Sequence, residues 1–77
     1  MKSGIKPTTY QVQVKIFEAA GYAYVRTQGD HLVFHYPGAK RPVVIPKYKE
    51  VPVFIIKNNM KIINLSVEKY FLIMENL

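Results

Sequence analysis

His31 and His35 are the only histidines in the chain, four residues apart in the run Gly-Asp-His-Leu-Val-Phe-His. Three readings fit such a pair: a shared metal ion, acid–base chemistry at one ring, or two solvated surface residues. On a helix the spacing could serve one ion, but along a strand it separates the rings by roughly 13 Å. The acids Glu18, Asp30, Glu50, Glu68 and Glu75 form no local cluster. A two-metal nuclease needs several carboxylates around its ions, so neither a metal nor any other cofactor is expected. Covalent catalysis has little to work with. There is no cysteine, Ser3 and Ser66 are the only serines, and neither sits in a nucleophile elbow. No glycine-rich nucleotide loop is present. What remains is proton transfer by imidazole, whose unperturbed pKa of about 6.5 lies nearest neutrality. His31 directly follows the Gly29-Asp30 turn at the start of a strand; on position alone, a lone strand-end histidine is usually just a solvated residue. His35 is a weaker candidate, either stacking on a base or phosphate or simply exposed.

Charge is the strongest bulk signal. Eleven lysines and arginines face five acids, for a formal net charge of +6. Such an excess on a small domain attracts polyanions, nucleic acid first, acidic proteins and membranes after it. The basic residues also concentrate. From Arg26 to Lys49 there are Arg26, Lys40, Arg41, Lys47 and Lys49 against Asp30 alone. Scattered lysines would mean only a soluble surface; this stretch is a candidate electrostatic footprint.

These residues need elements to hold them. Residues 1–77 are expected to form a single domain, with no repeat, linker or low-complexity tract. Neither end reads as a signal peptide, and the apolar run Val51 to Ile56 is too short to span a membrane. The absence of cysteine fits a cytoplasmic protein. Thr8 or Thr9 can cap a helix reaching about Ala20, with Gly21 just past its end. Tyr10, Val12, Val14 and Ile16 also alternate like a strand, but length and the terminal glycine favour helix. Tyr22 to Thr27, His31 to Tyr36 and Pro42 to Ile45 then read as strands, joined by Gln28-Gly29-Asp30 and by a turn at Pro37-Gly38. Pro46 ends the third. A helix starts with Pro52 in its first turn and reaches about Ile62, with Lys57 and Lys61 on one side. Asn64 breaks it. Ser66 caps a last helix, whose buried stripe is Val67, Tyr70, Phe71 and Met74. The short hairpins imply an α+β fold with a three-stranded antiparallel sheet. The helices should pack on its Leu32/Phe34 face and leave the His31/Val33/His35 face free.

The segment from Ala19 to Pro46, AAGYAYVRTQGDHLVFHYPGAKRPVVIP, resembles the HicA (YcfA-type) mRNA interferase toxins of toxin–antitoxin pairs. In that family a helix ends in Gly-aromatic, a strand carries Arg, Gly-Ser-His opens the second strand, and the third ends near Val-Pro. Gly21-Tyr22, Arg26, Gly29-Asp30-His31 and Ile45-Pro46 stand in those positions. The resemblance runs from about Tyr10 to Tyr70. Two departures stand out. Asp30 replaces the usual serine, and VPVFIIKNN replaces the usual Gly-Thr-Leu opening of the following helix.

The resemblance implies a double-stranded-RNA-binding-domain-like α-β-β-β-α core with a short helix added at its C-terminus. It also implies a metal-independent endoribonuclease toxin acting on mRNA, with His31 as general acid or base. From the basic stretch, Arg26, Lys40, Arg41 and Lys47 are candidates to offset charge on the phosphorane oxygens, and with Gly29 they are the expected RNA contacts. Its partners would be RNA and a HicB-like antitoxin, with no membrane, and the protein would be a monomer when free of antitoxin. Two rivals use the same surface without chemistry: an RNA-binding module of this fold, and an interaction protein whose basic face docks an acidic partner.

Overall fold

The computed structural model describes residues 4–77, so Ser3 lies outside it. The elements are helix α1 (Tyr10–Ala19), strands β1 (Ala23–Gln28), β2 (His31–His35) and β3 (Val43–Pro46), and helices α2 (Val53–Ile62) and α3 (Val67–Glu75). The strands form one antiparallel sheet in the order β1-β2-β3. This is the expected α-β-β-β-α core with a further C-terminal helix.

Local chemistry sets the boundaries. Thr9 is extended and its hydroxyl accepts the Val12 N–H at 3.3 Å, capping α1. At the other end the Gly21 N–H donates to the Glu18 carbonyl and the Tyr22 N–H to the Phe17 carbonyl, both at 3.0 Å. These two bonds are the Schellman closure, which needs a left-handed residue, and Gly21 has φ +100°. Because Tyr22 spends its N–H on the helix, β1 begins one residue later than its composition suggests. Helix α2 ends in the same way. Asn64 takes φ +57°, and Leu65 donates to the Met60 carbonyl at 2.8 Å. Pro52 is the residue before α2, not part of its first turn. Ser66 caps α3 by accepting the Lys69 N–H at 3.1 Å.

The helices cover the face that carries Leu32 and Phe34. Phe34, Val43 and Ile45 from the sheet meet Ile16 and Phe17 of α1, Ile56 and Met60 of α2, and Tyr70 of α3. One polar link crosses this core. The Gln13 side-chain amide donates to the Tyr70 hydroxyl and to Thr8 Oγ1, each at 2.9 Å. Burial pushes the Tyr70 hydroxyl above the usual tyrosine pKa, and the Gln13 bond works against that shift.

Three details differ from the sequence reading. Val67 is exposed, because α3 turns Tyr70 fully inward and leaves Phe71 and Met74 only half-buried. Tyr36 falls outside β2 and instead stacks on Tyr22 with ring centroids 5.3 Å apart. The outer face is not wholly free, since Val33 is buried there between Arg26 and Val44, its cross-strand partners. Its polar positions are therefore pushed to the strand ends.

The two sheet edges are treated differently. Along β3, the buried Asn59 of α2 donates its side-chain N–H to the Val44 carbonyl at 3.0 Å. That bond covers an otherwise open edge. Strand β1 has no such cover. All its residues are exposed, and a bulge between Tyr24 and Arg26 interrupts its pairing.

Gly21→Ala should lower stability by about 1–3 kcal/mol, through the left-handed backbone and a new Cβ only 3.1 Å from the Tyr36 ring. Gly29→Ala should cost less, because it meets only the backbone strain of its positive φ, with nothing within 4 Å of a Cβ there. Urea unfolding of the two variants checks the order; equal midpoints would contradict it.

Candidate functional site

Two residues, Gly29 and Asp30, reverse the chain between β1 and β2, and Gln28 pairs directly with His31. Gly29 takes the positive φ and Asp30 does not, the pattern of a type II′ hairpin turn. Asp30 also ties the turn to the end of β3, its carbonyl accepting the Lys47 N–H at 2.7 Å. His31 is thus the first residue of β2, opposite Gln28 on one side and Pro46 on the other. Its ring is exposed, and among the described residues no side chain hydrogen-bonds it. Asp30 therefore acts on the turn through its backbone and does not clamp the imidazole.

The register sorts the basic residues into two groups. Arg26 faces Val33, which puts it on the same outer face as His31 and diagonally across from it. Such diagonal neighbours lie roughly 7–8 Å apart, within reach of a long side chain. Lys47 follows Pro46, the cross-strand partner of His31. Gly29, Arg26 and Lys47 are thus gathered at the His31 end of the sheet. Lys40 and Arg41 are not. Phe34 pairs with Val43, so these two lie beyond the opposite end, more than roughly 10 Å along the strands from His31. His35 shares the outer face but pairs with Ala23 near that far end. Among the described residues, no group of three or more His, Cys, Asp or Glu comes together as a metal-holding set.

A groove runs from His31 to Arg41. It has a volume of about 450 Å³ and runs between β3 and α2. Pro42, Val44 and Pro46 form its floor, α2 forms a wall with Phe54, Asn58 and Ile62, and His31 and Arg41 also line it. Its direction follows from α2. The residues just past the helix C-terminus, Asn64 and Leu65, border a cavity shared with Tyr22 and Tyr36, at the Arg41 end of the sheet. The first turn of α2, with Phe54, therefore points toward Pro46 and His31.

Two exposed tyrosines, Tyr24 and Tyr48, lie outside this groove. Tyr24 sits on the Phe34 side, edge-on to that ring at 5.9 Å, with its hydroxyl bonded to Thr27. Tyr48 is exposed, and its carbonyl accepts the Tyr10 N–H. Sequence reasoning missed Phe54 and Asn58. Their i, i+4 spacing within VPVFIIKNN was the available signal, since it puts both on one helix face.

No helix among the described residues is long and apolar enough to cross a membrane. A comparison with curated proteins gives no match. The family model described as the HicA toxin of bacterial toxin–antitoxin matches residues 13–65. That span takes in most of α1, the whole sheet, the Gly29-Asp30-His31 turn and all of α2. The order of motifs from Gly21-Tyr22 to Ile45-Pro46 and this match agree, and the chain belongs to the HicA family of bacterial toxin–antitoxin toxins.

Proposed function

We propose that the protein is the toxin of a type II pair and cuts mRNA as a metal-independent endoribonuclease, with His31 as its proton-transfer group. The observation that carries this reading is the position of His31, an exposed imidazole that lines the groove and shares its end of the sheet with Arg26 and Lys47. RNA brings its own nucleophile. The 2′-oxygen attacks the adjacent phosphorus, the bond to the 5′-oxygen breaks, and a cyclic phosphate and a 5′-hydroxyl result. The protein has to take the 2′-hydroxyl proton or supply one to the leaving oxygen, and a neutral or protonated His31 serves either step. That is worth roughly 10²- to 10⁴-fold. Arg26 and Lys47 offset charge building on the phosphorane oxygens. The second proton passes through water or a lysine, since His35 lies at the other end of the strand. Lys40 and Arg41, at the far end of the groove, hold the phosphate backbone away from the reacting bond. A HicB-like antitoxin covers the same basic surface, and the free toxin is a monomer.

A second reading keeps the RNA and drops the chemistry, making the chain an RNA-binding module of this fold. It is favoured by the lack of any side chain orienting the His31 ring. Apo sites often tighten only when substrate binds, so this feature weakens catalysis without removing it. Incubation with labelled RNA decides between them, because a binder retards the RNA and leaves it whole.

His31→Ala should abolish cleavage of labelled RNA while fold and most RNA affinity remain, and His35→Ala should do far less. Wild-type cleavage by a folded His31→Ala protein would end the assignment.

Cleavage should survive EDTA. Strong loss that magnesium restores would refute a metal-free reaction; a slight loss reflects the effect of magnesium on RNA shape.

The two basic groups should separate kinetically. Arg26→Ala should lower kcat, by about 10²-fold if it stabilises the phosphorane directly. Lys40→Ala with Arg41→Ala should instead weaken binding to many RNA sequences alike and flatten the salt dependence by about 0.7 per lost phosphate contact. The same pair should also weaken antitoxin binding. An unchanged salt slope would make Lys40 and Arg41 solvated turn residues and move the binding surface to Lys57 and Lys61.

A further inference from the structure

Phe54 is the most exposed large apolar side chain among the described residues, 73% accessible, on a helix whose neighbours Ile56, Asn59 and Met60 are buried. Core packing does not account for it. It lies on the first turn of α2, on the groove wall, at the end nearer His31. Asn58 stands one helical turn further along the same wall, also exposed. No carboxylate lines the groove among the described residues, and Arg41 closes its far end. One flat apolar ring, an adjacent amide with donor and acceptor, and the Arg41 guanidinium in the same groove match the three parts of a nucleotide. They are its π-face, its hydrogen-bonding edge and its phosphate. A hydrophobic protein helix would match the ring but waste the charge and the amide.

We infer that Phe54 is a stacking platform for an unpaired base of single-stranded RNA beside the bond at His31, and that Asn58 reads the edge of that base. The pair is then a determinant of substrate choice. The inference rests on the ribonuclease reading for its choice of ligand, but it makes a separate claim about binding. Stacking selects single-stranded over duplex RNA, because a paired base has no free face to offer. The Asn58 amide adds preference among bases, since it donates and accepts at once.

The test uses short single-stranded RNAs with 2-aminopurine at one position at a time, mixed with His31→Ala protein so that the RNA stays whole. One position should show strong fluorescence quenching. Phe54→Ala should remove that quenching and weaken binding by about 5- to 150-fold, the usual range for a lost base–aromatic stack. Phe54→Trp should restore both. Asn58→Ala should leave the quenching but level the affinity between RNAs that differ only in the base at that position. Unchanged RNA affinity and unchanged quenching in folded Phe54→Ala would overturn the proposal and leave the ring to a protein partner. Wild-type protein with labelled RNA runs in parallel. Position-specific quenching without cleavage would sink the ribonuclease reading and leave the platform standing, while cleavage with no effect of Phe54→Ala would do the reverse.

Discussion

The hydrogen bond from the Asn59 side chain to the Val44 carbonyl fixes more of this molecule than its size suggests. A three-stranded sheet has two edges with unpaired backbone groups, and a small domain has few elements to cover them. Asn59 is nearly fully buried, so leaving its amide or the Val44 carbonyl unpaired would cost about 1–3 kcal/mol. The bond is possible only if α2 lies alongside β3 at one height and one rotation. With Asn59 turned inward, Phe54 and Asn58 are turned toward the groove, and the groove exists because the helix lies beside the edge. Position, rotation and functional surface follow from one polar contact.

The sheet itself adds a second constraint. Packing all three helices on one face leaves the other face to side chains alone. That face keeps Val33 dry at its centre, so its polar and charged groups collect at the ends. His31, Arg26 and Lys47 gather where the Gly29-Asp30 turn meets the end of β3. Lys40, Arg41 and His35 belong to the opposite end. The bond from Lys47 to the Asp30 carbonyl pins the near end, so a turn residue and two strand ends move as one body.

Much of this was legible in the sequence because the signals were local. Thr9, Gly21, Gly29, Asn64 and Ser66 each act within a few residues, by accepting a specific N–H or by adopting positive φ, and each sits where its chemistry suggested. The family was legible for a related reason, since its motifs mark these same turns and strand starts. Long-range matters were not legible. Phe54 is apolar yet exposed and Asn59 polar yet buried, its amide meeting the Val44 carbonyl, and no local pattern marks either. Val33 alternates with the inward residues yet is buried, a result of two neighbouring strands that no local pattern encodes. The separation of Arg26 and Lys47 from Lys40 and Arg41 likewise depends on register, which sets distance across strands irrespective of closeness along the chain.

The His31 end also explains how a site this sparse is enough under the proposed function. Its backbone is rigid, held by the hairpin turn, the Gln28 and Pro46 pairings and the Lys47 bond, while the imidazole has no side-chain partner of its own. Most histidine catalysts gain orientation from a second residue, and here the Asp30 carboxylate makes no bond to the ring while its carbonyl holds the Lys47 N–H. Orientation must then come from the substrate, through the phosphate between Arg26 and Lys47 and the base beside Phe54. Ordering on binding makes productive geometry depend on an RNA strand that fills both the phosphate and the base positions. A strand that fills one of them binds without placing its 2′-hydroxyl at His31. Under the proposed function, binding energy gathered along the groove would go into aligning the reacting bond, which raises the rate more than the affinity.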